Sequence, residues 1–287
     1  MTIENISDTA RWVAVYRAME TDRPDALFRD PFARRLAGER GEAIVRQMKR
    51  GRASAWAMIV RTAVFDEIIL KTIERGRVDL VVNLAAGLDA RPWRLPLPPA
   101  LKWVDVDLPA ILAYKTEMLR QERPVCRYEA VPADLTDAAA RRALFGRLGA
   151  ESANALVLSE GLLIYLAAEQ VTELARDLHA QPSFRWWLID LASPRLLKMM
   201  QRQWGKSLSR GNAPFRFAPA EGTGFFEPSG WRELEFRSTV EEAHRLRREM
   251  RSMWIWRLVG RFSARQREEG RKMSAYVLLE RRDARAG

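Results

Sequence analysis

The stretch from Asp79 to Arg91 constrains the fold of this chain more than any other part of it. It opens with the apolar run Leu80-Val81-Val82 and closes in small residues around Gly87. A continuous apolar run of this kind predicts a strand that is buried on both faces, as in a parallel sheet. A tight turn of small residues after such a strand lets backbone N–H groups approach a ligand closely. The stretch therefore predicts an α/β domain with a binding crevice at the end of its first strand.

A second predicted strand, 102–107, ends in two acidic residues, Asp105 and Asp107. An acid at this position can accept hydrogen bonds from two ribose hydroxyls. The preceding turn has one glycine, Gly87, next to Ala85, and lacks the three glycines that seat a pyrophosphate on a helix N-terminus. The pattern favours a ligand with an adenosine and no phosphates, and we predict S-adenosylmethionine as the cofactor. The alternative is a glycine that serves packing alone, which is common in α/β domains.

Two more acidic residues follow later predicted strands. Asp134, with Leu135 beside it, comes after the third strand, where an acid can bond the adenine amino group, and Glu160 comes after the fourth. Ligands of parallel sheets bind at the C-terminal ends of the strands. Gly87, Asp107, Asp134 and Glu160 are therefore predicted to line one crevice.

Strands and helices alternate after residue 79. We predict strands at 79–85, 102–107, 127–132, 155–160, 184–191, 232–238 and 274–281, with helices at 108–121, 137–148, 168–180 and 240–268. This alternation predicts a doubly wound, mostly parallel sheet with helices on both faces.

The chain is predicted to have a helical N-terminal cap, 1–75, and a main domain, 76–287. The segment 194–230 has many aromatic residues, glycines and prolines and is predicted to be irregular. A loop of this length suggests a lid or a wall of the substrate pocket, and a structural insertion is the alternative.

Arg61 lies between Met58 and Phe65 on the apolar face of a predicted helix in the cap. An arginine in such a position needs a carboxylate partner. Periodicity alone leaves two partners open, a carboxylate of the protein core or the carboxylate of the cofactor's methionine part.

The composition of the chain bears on which partners and cofactors the protein could have. The net charge of +11 is compatible with nucleic acid or an anionic membrane as a partner, although basic and acidic residues are spread along the whole chain. No apolar stretch is long enough to span a membrane, and no Cys/His spacing indicates a metal site. A single cysteine, Cys126, and a start without signal-peptide features suggest the cytoplasm. The sequence does not indicate an oligomeric state.

Several ordered motifs give the chain a family resemblance. They are Trp12–Ala18, Asp25–Phe32, Arg61–Asp66, Leu84–Arg91, Val104–Pro109, Ala133–Leu135 and Ser159–Leu162. With these, the chain resembles the leucine carboxyl methyltransferase family, and in particular its bacterial branch of S-adenosylmethionine-dependent O-methyltransferases of secondary metabolism. It departs from many members at Ala85 and Ala90, where they have glycine and threonine.

The resemblance implies a class I methyltransferase fold, a Rossmann-like sheet of seven strands with an antiparallel last strand. It also implies cofactor contacts for each strand end: Arg61 at the carboxylate, Gly87 along the methionine part, Asp107 at the ribose, Asp134 and Leu135 at the adenine, and Glu160 near the amino end. Tyr16 and Arg17 would lie on helices that cover the site. Together with Tyr165, they are candidates for positioning the substrate.

The acceptor is predicted from the same residues. A carboxylate needs no base at neutral pH, whereas a phenol benefits from a positioned base, most often histidine. Neither His179 nor His244 falls at a predicted strand end. We therefore expect O-methylation of a small-molecule carboxylate or acidic hydroxyl. The alternatives are a nucleic-acid or protein substrate, and membrane-surface binding through Arg245–Arg271.

Overall fold

Seven strands form one mixed sheet in the computed structural model of the protein, which describes residues 6–47, 55–210, 214–250 and 264–282. The strands are β1 (Leu80–Leu84), β2 (Lys102–Asp107), β3 (Arg127–Pro132), β4 (Ala155–Ser159), β5 (Phe184–Ala192), β6 (Trp231–Ser238) and β7 (Ser274–Arg281). The α-helices are α1 (Ile6–Thr21), α2 (Ala33–Gln47), α3 (Ala55–Gly76), α4 (Arg91–Arg94), α5 (Pro109–Leu119), α6 (Ala138–Ala150), α7 (Ala168–His179), α8 (Pro194–Arg210), α9 (Thr239–Arg245) and α10 (Ala264–Arg271). Two 3-10 helices, Leu163–Tyr165 and Gly222–Ser229, complete the described elements.

The strand order is β3-β2-β1-β4-β5-β7-β6. β1 to β5 pair in parallel, and β7 runs antiparallel to both β5 and β6. The order reverses between β1 and β4, so the C-terminal ends of these strands border a crevice. The predicted α/β class, with seven strands and an antiparallel last strand, is confirmed.

The central strands are buried on both faces, as their continuous apolar runs predict. All five residues of β1 and all five of β4 are buried. Alternate residues of β1 enter two different cores, with Val82 packing on one face of the sheet and Val81 on the other. This two-sided burial makes the sheet a rigid support for the turns at its ends.

The three helices that precede β1 pack partly on the sheet and partly on each other. Phe65 and Ile68 of α3 belong to one of the sheet cores, while Ala14 and Tyr16 of α1 belong to a separate core with α2. The helical N-terminal segment was predicted from periodicity. The contact between α1 and the turn after β1 brings this segment to the ends of the strands.

Two predicted elements are wrong. The helix predicted at 240–268 ends at Arg245, where Arg247 adopts φ 55° and the N–H of Arg248 donates to the carbonyl of Ala243 at 2.9 Å. This is a Schellman cap, which usually contains glycine in the left-handed position, so the arginine concealed the helix end. The segment predicted to be irregular, 194–230, begins with α8, whose amphipathic pattern was hidden among aromatic and basic residues.

The membrane-surface alternative depended on Trp254, Trp256, Leu258, Val259 and Phe262, which lie outside the described residues. Among the helices that the structure describes, none combines the length and the apolar character needed to cross a bilayer.

Candidate functional site

A cavity of about 1840 Å³ opens at the C-terminal ends of the parallel strands, below the N-terminal helices. Its lining includes all four predicted strand-end residues, Gly87, Asp107, Asp134 and Glu160. Ligand pockets of proteins typically measure roughly 300–1,000 Å³. The cavity therefore has room for two ligands side by side.

The turn after β1 is shaped by two residues in the left-handed region. Ala85 and Gly87 both have φ 53°. A Cβ on Gly87 would lie 3.2 Å from the Cβ of Ala10 on α1, so the glycine allows the helix to pack close to the turn. Left-handed alanine costs roughly 1–2 kcal/mol, so glycine would be the less strained residue at position 85. Both residues line the cavity, as predicted.

Asp107 lies beside this turn at the end of β2. Its carboxylate accepts hydrogen bonds from the backbone N–H of Gly87 at 2.6 Å and of Leu108 at 2.7 Å. The residue is half-buried, and burial raises the pKa of Asp107 in spite of these two bonds. The structure thus places a carboxylate on the cavity surface, next to a backbone turn that can follow a ligand.

Asp105, which was predicted to bind the cofactor, does not line the cavity, and this placement does not support that prediction. Its side chain is fully buried, because Asp105 lies two residues before Asp107 at the end of β2 and is therefore inside the sheet rather than at the strand end. The carboxylate accepts from Lys115 at 2.5 Å, Tyr128 at 2.8 Å and the indole of Trp103 at 2.9 Å. These donors account for both of its oxygens.

Asp134 and Leu135 line the cavity after β3. Asp134 is exposed, and its Oδ1 accepts from the N–H and the hydroxyl of Thr136, at 2.9 and 2.7 Å. These bonds lower the pKa of Asp134 and shape the loop as an Asx turn. The carbonyl of Leu135 accepts from the buried guanidinium of Arg141 at 2.7 Å, which fixes the loop against α6.

Arg61 on α3 lies at the cavity surface and has protein carboxylates as partners. Its Nη1 donates to Asp190 at 3.1 Å, and its Nε lies 2.9 Å from Oε1 of Glu160. A Cβ on Gly161 would lie 3.0 Å from Nη1 of Arg61, so glycine at 161 leaves space for the guanidinium. Burial opposes the charge, but Glu160 and Asp190 raise the pKa of Arg61. Of the two partners that the sequence left open for Arg61, carboxylates of the protein are thus present in the structure. Arg61 also borders the cavity, where a ligand could reach it.

Arg91, which follows the turn after β1, shares the carboxylate of Glu160 with Arg61. Its guanidinium contacts Asp66 at 2.6 Å, Asp89 at 2.7 Å and Glu160 at 2.8 Å. Burial alone would lower the pKa of Arg91, but Asp89, Glu160 and Asp66 raise it well above its ordinary value. Burial would likewise raise the pKa of Asp89, yet Arg91 and Lys115 hold it well below its usual range. The opposite charges of Arg91 and Asp89 therefore stabilise each other, and these contacts hold both side chains in place.

Asp190 was missed by the sequence reasoning. It lies near the end of β5, lines the cavity, and accepts from the N–H of Gly161 at 2.7 Å as well as from Arg61. The signal was the same as for the other acids, an aspartate at the C-terminal end of a predicted parallel strand.

The three positioning candidates, Tyr16, Arg17 and Tyr165, all line the cavity. Arg17 donates to Asp30 at 2.8 Å and to the carbonyl of Leu88 at 2.6 Å, so it ties α1 to the turn after β1. Burial raises the pKa of Tyr16 to about 12, and burial also raises the pKa of Tyr165. Both phenols therefore remain protonated at neutral pH and can donate hydrogen bonds rather than act as bases.

The part of the cavity away from the strand ends is mostly apolar. Its side chains include Trp12, Trp56, Met58, Met199, Met200 and Phe215. One histidine, His244 at the end of α9, also lines the cavity, and its Nδ1 lies 3.4 Å from Glu249. The sequence reasoning set His244 aside because it is not at a strand end, and the turn that brings it to the cavity was hidden by the wrong helix prediction.

Comparison with known proteins relates the chain to methyltransferases. The profile of the leucine carboxyl methyltransferase family matches residues 10–179. A Parafrankia protein named "Putative S-adenosyl-L-methionine-dependent methyltransferase" is 38% identical over 182 residues, which cover 60% of this chain and 58% of the relative. The chain therefore matches less than two thirds of the length of that relative.

Solved structures confirm the fold. A DUF574 family protein from Streptomyces avermitilis superposes with a TM-score of 0.61 at 14% identity, covering 96% of this chain and 97% of that one. A Thermobifida fusca protein described as a "putative methyltransferase" gives 0.56 at 14% identity, with 94% of each chain covered. The fold is that of class I methyltransferases, and with the profile match over residues 10–179 the chain belongs to the leucine carboxyl methyltransferase family.

Proposed function

We propose that the protein is an S-adenosylmethionine-dependent O-methyltransferase that acts on a small-molecule carboxylate or acidic hydroxyl. The observation that carries the proposal is the position of Asp107. Its carboxylate lies on the cavity surface and is bonded to the N–H of Gly87 at 2.6 Å, at the point where the strand order reverses. An acid in this position after the second strand suits the two hydroxyls of a ribose.

The other strand ends fit the remaining parts of the same cofactor. The loop of Asp134 and Leu135 would contact the adenine. Glu160 would attract the ammonium of the methionine part, and Arg61 would bind its carboxylate with the charge that Glu160 and Asp190 hold in place. These roles agree with those that the family resemblance implies. Asp190 joins the proposed site, and Asp105 leaves it.

Bound S-adenosylmethionine would supply an electrophilic methyl group on its sulfonium. The task left to the chain is to align an acceptor oxygen with that group and to exclude water. Arg17 contributes by fixing α1 on the turn after β1, and the protonated Tyr16 and Tyr165 can donate hydrogen bonds to an acceptor.

A carboxylate acceptor agrees best with the cavity, because it is ionised at neutral pH and needs no base. One observation favours the second candidate, a hydroxyl acceptor. His244 lines the cavity with its Nδ1 3.4 Å from Glu249, which makes it a candidate general base for such an acceptor. The nucleic-acid alternative lacks such support, since Ser159–Leu162 at the end of β4 differs from the Asn/Asp-Pro-Pro-aromatic motif that base methyltransferases often have there.

The test incubates the protein with a bacterial cell extract and cofactor labelled in the methyl group, and then separates small molecules, RNA and protein. The proposal expects labelled, low-molecular-weight product in the complete reaction and none with Asp107→Ala. Label that mild base releases as methanol would indicate an ester, and base-stable label that is lost in His244→Gln would indicate an ether. Label found only in RNA or protein would contradict the proposal.

A further inference from the structure

The turn that ends α9 has an arginine in an unfavourable conformation at the cavity. Arg247 has φ 55°, and its N–H donates to the carbonyl of His244 at 3.1 Å while the next residue closes the cap. This is the left-handed position of a Schellman motif, where glycine is preferred because it has no Cβ. An arginine here stabilises the turn less than a glycine would.

The side chain of Arg247 lines the cavity and is exposed to it. Other arginines of the lining have carboxylate partners: Arg195 pairs with Glu269 at 3.4 Å, Arg248 with Glu20 at 2.7 Å, and Arg271 with Glu241 at 3.5 Å. For the guanidinium of Arg247, the described parts of the chain provide no such partner. Its charge is therefore available to a ligand.

A second donor in the same cavity points to the same kind of ligand. The indole N–H of Trp12 is buried and, within the part of the chain that the structure describes, has no hydrogen-bond acceptor. Trp12 and Leu246, the neighbour of Arg247, pack against the same core. A buried donor without an acceptor costs free energy unless a ligand or water supplies an oxygen.

The position of Arg247 is held firmly. The N–H of Leu246 donates to the backbone carbonyl of Glu242 at 2.8 Å, and the guanidinium of Arg248 donates to the carboxylate of the fully buried Glu20 of α1 and to the carbonyl of Asp25. The turn is thus fixed between the sheet and the N-terminal helices. A guanidinium presented from such a support can select an anionic group by its position.

We infer that Arg247 binds an anionic group of the methyl acceptor, and that the acceptor is an amphiphilic anion whose apolar body contacts apolar lining residues such as Trp12 and Met200. This inference rests on the proposed function, because it assumes that the methyl acceptor and the cofactor bind in the same cavity. It narrows the acceptor from any small carboxylate or hydroxyl to one that combines a negative charge with a sizeable apolar part.

The chain contains a matched control. Arg77 has φ 49° at the end of α3, where the N–H of Val78 donates to the carbonyl of Ile73 at 3.2 Å. It is exposed, occupies the same position of the same kind of helix cap, and does not line the cavity. Arg77→Gly and Arg247→Gly therefore remove the same charge from the same backbone conformation, and each replaces a strained residue with the preferred one.

The experiment uses decanoate as the probe, with 1-decanol as its uncharged counterpart, titrated calorimetrically into protein saturated with S-adenosylhomocysteine. We expect decanoate to bind at one site, at least tenfold more weakly to Arg247→Gly and with unchanged affinity to Arg77→Gly. Arg247→Lys should retain part of the affinity, and decanol should bind the wild type at least tenfold more weakly than decanoate. Both glycine variants should melt no lower than the wild type.

Equal binding of decanoate by Arg247→Gly and the wild type, equal binding of decanol and decanoate, or no binding of decanoate by the wild type would each overturn the inference. Binding of S-adenosylhomocysteine is measured first. If it does not bind, the proposed function fails, and the decanoate titration on the unliganded protein then tests the anion site separately.

Discussion

At the residue scale, Asp105 and Asp107 have opposite roles although they are two positions apart on β2. Asp107 faces the cavity, and Asp105 neutralises the fully buried Lys115 at 2.5 Å. We predict that Asp107→Ala weakens S-adenosylhomocysteine binding by roughly 2–4 kcal/mol, because hydrogen bonds to a charged acceptor are lost, and leaves the protein folded. Titration calorimetry and a melting scan measure the two effects.

Asp105→Asn is the matched control, and it should show the reverse pattern. Removing one partner of a buried pair typically costs about 3–5 kcal/mol of unfolding free energy, whereas the cavity surface is unchanged. If Asp105→Asn weakened binding below its melting transition as much as Asp107→Ala does, the assignment of the two acids would be wrong.

The raised pKa of Asp107 predicts how cofactor affinity depends on pH. Burial raises this pKa in the folded protein, and only the ionised carboxylate accepts hydrogen bonds from both ribose hydroxyls. Affinity for S-adenosylhomocysteine should therefore fall as the pH decreases through a value above the ordinary pKa of aspartate. A raised folded-state pKa favours folding of the protonated form, so this carboxyl does not itself promote acid unfolding. The affinity of Asp107→Asn for S-adenosylhomocysteine should not show this fall with decreasing pH.

Arg61 should contribute to both stability and binding. Asp190 and Glu160 contact it at a buried site, so Arg61→Ala should lower the unfolding free energy of the unliganded protein by about 3 kcal/mol. Denaturant melts measure this loss, and replacing Asp190 with asparagine in the same chain should restore part of it. Unchanged stability of Arg61→Ala would show that the guanidinium has no structural partner.

At the scale of elements, one buried ion pair connects α1 to the turn after α9. Arg248 donates to Glu20 at 2.7 Å, and both side chains are buried. Arg248→Ala should cost about 3 kcal/mol of unfolding free energy, because the carboxylate of Glu20 stays buried without this cation. Arg265→Ala removes an exposed pair with Glu269 on α10 and should cost roughly 0.5 kcal/mol or less. Equal losses in urea melts of the two variants would contradict this account.

Helices and strands could be predicted from the sequence where the local pattern of apolar residues matches the burial seen in the folded protein. The continuous apolar runs of β1 and β4 and the amphipathic pattern of α7 gave the observed elements with small shifts at their ends. The end of α9 was missed because Arg247 occupies a cap position where glycine is the usual signal. The position of this turn depends on Arg248 and Glu20, which are 228 residues apart in the chain, and local pattern carries no such information.

At the scale of the whole molecule, the crevice was predictable because parallel strands end on the same side of a sheet. Gly87, Asp107, Asp134 and Glu160 could be placed together by that rule alone. The rule does not say how far from the strand end the crevice reaches, and Asp105, two residues before the end of β2, was misassigned for that reason. His244 and Arg247 come from a helix end beyond the main strand ends, so only the folded chain shows that they border the same cavity.

The central claim is that this cavity binds S-adenosylmethionine at the ends of β1, β2, β3 and β4. Calorimetric titration of the purified protein with S-adenosylhomocysteine tests it most directly. The account predicts one site per chain, and a ligand concentration 100 times the dissociation constant should stabilise the protein by about 2.7 kcal/mol. No heat of binding and no shift of the melting temperature, in protein shown to be folded, would contradict it.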